Sequence, residues 1–118
     1  MRIVGLVPRL SDGGERDRLW RYCQGHWAEQ FPELEIVEGH DETDGPFNRS
    51  AALNTAAEGD WDVAVILDAD TILDVDPIRR GVEIAAETGR LVLPFTDRCL
   101  VNRQGTRQIL EGYRGSWR

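Results

Sequence analysis

Asp68 and Asp70 are separated by one small residue, Ala69, and follow five consecutive apolar positions, Val63-Ala64-Val65-Ile66-Leu67. If the chain leaves that run extended, positions i and i+2 point the same way and both carboxylates face one pocket. Two such groups hold a hard divalent cation through oxygen and still reach a ligand hydroxyl. A cation held there bridges a diphosphate and offsets the charge that builds as it leaves. An Asp-x-Asp pair can also do no more than terminate and solvate a strand, so the elements around it must discriminate.

Those elements are regularly punctuated. Arg2 to Val7 is a short apolar run closed by Pro8, the pattern of a buried strand. Asp12-Gly13-Gly14-Glu15 has the form of a capping box, with Asp12 accepting from the first turn and Glu15 reaching back. Leu19, Cys23, Trp27 and Phe31 then recur every four residues, predicting an amphipathic helix that ends before Pro32. Leu34 to Val37 reads as the second strand, and Glu38 to Pro46 as a polar loop. Asn48 is placed to cap an Ala-rich helix running to about Glu58 and stopped by Gly59. The run 63–67 is apolar at every position, which predicts a central parallel strand covered on both faces. Asp76-Pro77 pairs an N-cap with the residue favoured at the first helical position, opening a helix to Thr88 that Gly89 ends. Leu91 to Phe95 is expected to form a further strand, and Arg103 to Glu111 a helix weakened by Gly105.

Strands alternating with helices at this spacing predict an α/β fold, a single domain over residues 1–118. Right-handed crossovers would put helices on both faces of a mainly parallel sheet, giving a three-layer α/β/α sandwich of Rossmann-like type. In open parallel sheets, ligands bind beyond the carboxyl ends of the strands. That rule selects Pro8-Arg9, the stretch from Glu38 to Asp44, and Asp68 to Asp70.

The chain is 118 residues long with a net charge of -7, which argues against a nucleic-acid backbone as partner. Charge is nonetheless uneven: residues 96–118 hold five Arg against two acids, and every basic residue of the chain is Arg. No apolar run is long enough to span a membrane, and the first residues lack the apolar core of a signal peptide, so a cytoplasmic location is expected. Cys23 and Cys99 are too few for a disulfide framework or metal knuckle, and both are expected as buried thiols.

Val65-Ile66-Leu67-Asp68-Ala69-Asp70-Thr71 resembles the Asp-x-Asp segment of GT-A glycosyltransferases, enzymes that take nucleoside-diphosphate sugars. Phe47-Asn48-Arg49-Ser50-Ala51-Ala52-Leu53-Asn54 is similar to the Arg-and-Asn helix just upstream in that family, and Val4 to Arg9 to its opening strand. The three segments stand in the family's order, and the resemblance spans roughly residues 2–95. It implies a GT-A fold and sugar transfer to an acceptor. Asp70 would be a ligand of Mn²⁺ or Mg²⁺. Asp68 would contact ribose or sugar and support the metal. Arg49 would meet the diphosphate or the base, and Pro8 and Arg9 would line the nucleoside pocket. An acid after the second strand would hold the base. Here Glu38-Gly39-His40-Asp41 departs from the family's commoner Asp-Asp-Gly-Ser, leaving Glu38 and Asp41 as candidates, with Glu38 preferred. Uridine is the family's commonest base, so a UDP-sugar is the expected donor. The second half of such enzymes supplies the acceptor cleft. The resemblance therefore implies that residues 1–118 lack the acceptor-binding half, as a fragment, a natural short relative, or a protomer completed by a homo-oligomer or a partner chain, and Trp117 points the same way.

Two other readings compete. A catalytically silent nucleotide-sugar-binding or assembly module would keep the same fold, since fold and function separate easily. A phosphatase using Asp-x-Asp as nucleophile and acid would need a downstream Lys, and the chain has none. Elsewhere, Asn54 is expected to brace its helix, His26 to be structural, and His40 to be a solvated loop residue. Asp76 is read as a cap, Asp74 as solvated, and Trp20, Trp27 and Trp61 as packing in or around the core.

Overall fold

β1 (Ile3–Arg9) runs through the centre of the sheet and is buried at five consecutive positions, Val4 to Pro8. The structure, a computed structural model, describes residues 1–112. Beside β1 lie β2 (Glu35–His40) and β3 (Val63–Ile66), in the order β2-β1-β3, all parallel. Four helices complete the described fold: α1 (Glu15–Gln30), α2 (Arg49–Ala56), α3 (Val75–Thr88) and α4 (Arg103–Leu110). The architecture is α/β, with a small parallel sheet.

The pleat of β1 divides the core in two. Val7 turns toward Trp20, Cys23, Trp27 and Phe31 of the α1 segment and toward Ile78 and Val82 of α3. Val4 and Leu6 turn the other way and pack with Ala56 of α2, flanked by Val37, Leu53 and Ala64. Trp27 and Phe31 are each 1% exposed and dominate the first cluster, since burying a large ring contributes more than any aliphatic neighbour. α2 lies unusually close to the sheet. A Cβ at Gly39 would overlap the Ala52 carbonyl, so only glycine admits this approach.

Several sequence expectations are corrected here. Among the described residues β3 is an edge strand, not a central one: it pairs there with β1 alone, and Ile66 is 54% exposed. An unbroken apolar run reports suitability for burial on both faces, not how many neighbours the strand has. β2 extends to His40, so Glu38, Gly39 and His40 are strand residues paired with β1 and not loop. Segment 91–95 forms no ladder among the described residues. Val92 and Pro94 pack toward Gly81 of α3, while Leu91 and Leu93 are 89% and 73% exposed. The alternation of a strand is present without the backbone partner that would make it one.

The helix ends show what was legible locally. Asn48 caps α2 by accepting from the Ala51 N–H at 3.0 Å, and Gly89 closes α3 with φ of 68°. Both were expected, as was α4, where Asn102 accepts from the Gly105 N–H. α2 itself stops at Ala56, short of Glu58. α3 begins at Val75, which makes Asp74 its N-cap position and moves Asp76 into the first turn. At α1, Asp12 accepts from the Arg16 and Asp17 N–H groups as expected, but the reciprocal acid is Asp17 and not Glu15. Asp17 takes the Gly13 N–H and the Ser11 hydroxyl, while Glu15 pairs with Arg18. Cys23 is buried and Cys99 is exposed, which corrects the expectation for the second thiol. Trp61 lies at the surface, donating to the Ala57 carbonyl, and Trp117 lies outside the described residues.

Candidate functional site

Because all three strands are parallel, their carboxyl ends lie on one side, and the segments that follow them gather there. Two residues past β3, after Leu67 and Asp68, the chain turns: Ala69 and Asp70 occupy the turn, and the Thr71 N–H approaches the Asp68 carbonyl at 3.4 Å. The direction of the two carboxylates is thus set by a turn, not by the pleat of an extended strand, which corrects the period-two expectation.

Asp68 is not isolated. Arg49, the first residue of α2, donates from Nη2 to Asp68 Oδ1 at 2.8 Å. Both side chains are half exposed, so a diphosphate or cation arriving from solvent can compete for either partner. Among the described residues, Asp70 has the Thr71 hydroxyl as its hydrogen-bonding neighbour, 3.5 Å from Oδ1. Its charge reaches Cys23 below, whose thiol is pushed up to about 11, first by burial and then by Asp70. Cys23 is consequently a neutral core side chain and no nucleophile.

Between the ends of β1 and β2 opens a cavity of about 380 Å³. Arg9, His40, Asp41 and Phe47 line it, with Ser11 and Thr43 at its polar side. The Arg9 side chain is 90% buried and stacks on Trp20, 5.6 Å from the ring centroid. Its Nη2 meets Asp17 at 3.2 Å, and its Nε lies 2.9 Å from Glu38 Oε1, an ion pair that lacks hydrogen-bond geometry. Nε therefore remains a buried donor without a well-aimed acceptor, a costly state that a ligand oxygen could relieve.

Asp41 organises the loop that forms the cavity wall. It accepts from the Thr43 hydroxyl and N–H and from the Asn48 N–H at 2.7 Å. These bonds, the Thr43 hydroxyl first, hold its carboxyl below the usual range. Since Asn48 caps α2 and Arg49 begins it, a continuous chain of contacts leads from the cavity to Asp68.

The structure thus joins Arg49 to Asp68, and Arg9 to Glu38, and sets Asp41 beside Arg9 in one cavity. Pro8 is buried within β1 and is not among the cavity's lining residues. Glu38 is engaged by Arg9, and Asp41 by its own loop, so neither acid stands free for a base. The residues that sequence reasoning passed over are Phe47, read only as part of a helix segment, and Ser11 and Thr43. Phe47 is 36% exposed, a ring presented at a cavity mouth, and no local sequence pattern announces that placement. His26 meets the Leu73 carbonyl at 3.4 Å and packs edge-on against Trp27, in line with a structural role.

Among the described residues, no three His, Cys, Asp or Glu side chains converge as a closed metal cage. The donor set at Asp68 and Asp70, carboxylates only and open to solvent, fits a hard cation that shares its coordination with a ligand and water. No helix of the described residues is long and apolar enough to cross a membrane. Compared with known proteins, the chain matches no family model, no curated protein and no solved structure.

Proposed function

We propose that this chain is the nucleotide-binding part of a GT-A-like, metal-dependent glycosyltransferase, with a three-layer α/β/α architecture and a nucleoside-diphosphate sugar, UDP-linked by preference, as donor. The observation that carries the reading is the contact chain from the Arg9–Phe47 cavity through Asp41 and Asn48 to the Arg49–Asp68 pair, all at the carboxyl edge of a parallel sheet.

In this reading the base enters the cavity, where the Phe47 ring offers a stacking face and Arg9 a donor. Arg49 leaves Asp68 for the diphosphate, exchanging a solvent-exposed ion pair for charged hydrogen bonds to phosphate oxygens. Asp70 and Asp68 would hold Mn²⁺ or Mg²⁺, which supplies charge neutralisation at the diphosphate. The exposed apolar side chains of Ile66, Leu91, Leu93 and Phe95 support a homo-oligomer or a completing partner chain. Light scattering tests this; a strictly monomeric chain that transfers sugar efficiently would refute it.

Calorimetry against a panel of nucleoside diphosphates, with and without Mn²⁺, is the direct experiment. A metal-dependent signal for one nucleotide supports the proposal, and its loss in Asp70→Ala with the fold retained assigns the ligand. Binding without donor hydrolysis, alone or with a partner chain, would favour a silent sugar-nucleotide-binding module. Mn²⁺-assisted binding that survives Asp70→Ala would remove Asp70 from the site.

A further inference from the structure

A second cavity, of about 450 Å³, opens between the first turns of α1 and the length of α4. Its walls are Arg18 and Leu19 from α1 and Arg103, Thr106, Arg107 and Leu110 from α4, with Glu15 at the rim. Three guanidinium groups therefore share one open cavity on a protein whose net charge is -7. Arg103 and Arg107 are four residues apart and so lie on one face of α4. Among the described residues, neither has an acidic partner; Arg18 alone is paired, with Glu15 at a long 3.5 Å.

That arrangement is unfavourable without a counter-charge. Like charges facing one cavity repel, and because all three side chains are exposed that repulsion is modest and falls with added salt. An acidic protein has carboxylates to spare, yet among the described residues Glu15 alone reaches this site. Guanidinium groups donate in planar pairs that match phosphate oxygens, and Thr106 adds a hydroxyl donor. Leu19 and Leu110, both half buried, give the cavity an apolar flank that inorganic ions cannot use.

We propose that this cavity is a binding site for a phosphate monoester with a small apolar body, its phosphate between Arg103, Arg107 and Arg18 and its apolar part against Leu19 and Leu110. The site stands on different residues from the Arg49–Asp70 region and holds whether or not the nucleotide reading is correct. No metal enters it, because the cations of the protein neutralise the phosphate.

The probe is phenyl phosphate, titrated into the ¹⁵N-labelled full chain with chelator present and followed by amide chemical shifts. Saturable shifts concentrated in residues 15–19 and 103–110 are expected, weakening as salt is raised. The double variant Arg103→Gln/Arg107→Gln, whose parent side chains are exposed, should fold as before and bind at least tenfold more weakly. Inorganic phosphate should also bind more weakly than phenyl phosphate. Three results would overturn the proposal: shifts that do not saturate, shifts centred on residues 49 and 68–70, or unchanged affinity in the double variant. Equal affinity for inorganic phosphate would overturn the apolar half of the site.

Discussion

Arg49 Nη2 and Asp68 Oδ1 stand 2.8 Å apart, joining the first turn of α2 to the turn that follows β3 across 19 residues of sequence. Each side chain is 52% exposed, and an ion pair of that kind contributes little to stability, at most about 1 kcal/mol. Under the proposed function, its placement matters for what it can exchange. A cation on Asp68 or a phosphate on Arg49 breaks the pair at small cost.

Arg49→Ala should accordingly leave the unfolding midpoint nearly unchanged. Nucleoside diphosphate binding should fall by about 1.5–3 kcal/mol, the cost of a lost charged hydrogen bond, while nucleoside binding changes less. Calorimetry with the two ligands separates these effects. Equal losses for both would place Arg49 at the base or in the scaffold.

Acid should loosen the wall of the Arg9–Phe47 cavity before it unfolds the core. Asp41 has its pKa lowered from the usual 3.8, with the Thr43 hydroxyl as the largest cause. A group depressed in the folded state stabilises fully above its unfolded pKa, and that stabilisation is lost as pH falls through the folded value. The melting-temperature gap between the native protein and Asp41→Asn should thus be full at neutral pH and close below about pH 3.8. A gap that is constant down to strong acid would show that the charge of Asp41 is irrelevant to the loop.

Gly39→Ala should destabilise sharply, because the added Cβ overlaps the Ala52 carbonyl and either α2 or β2 must shift. Overpacking of this kind costs about 1–3 kcal/mol or more. Gly25, inside α1, has open space where a Cβ would lie, and Gly25→Ala should instead stabilise by up to about 1 kcal/mol. Urea denaturation of both variants checks the pair, and the same sign for both would contradict this account of the α2 approach.

A thiol reagent at pH 8 should modify Cys99 and spare Cys23 in the folded protein. Cys23 is 4% exposed, and burial pushes its thiol up to about 11, so thiolate is scarce as well as inaccessible. Mass spectrometry should find one label per native chain and two after denaturation. Rapid native labelling of Cys23 would mean that α1 opens readily from the sheet.

What could be read from the sequence was local and periodic. The α1 stripe, the Asn48 cap, the Gly89 stop and the parallel α/β alternation depend on residues within a few positions of one another, where propensity and capping act. That the candidate residues after each strand gather on one side followed from the same alternation, because parallel strands must share a carboxyl edge. Tertiary structure alone decided the rest. It made β1 and not β3 the central strand, since pairing depends on which edges meet. It left Leu91–Phe95 without a ladder for the same reason. It also tied Arg9 to Glu38 and Asp17, brought Phe47 to the cavity mouth, set Arg49 against Asp68, and placed arginines of α1 and α4 around one open cavity. Each of these unites residues from different elements, and no spacing along the chain encodes a distance across the fold.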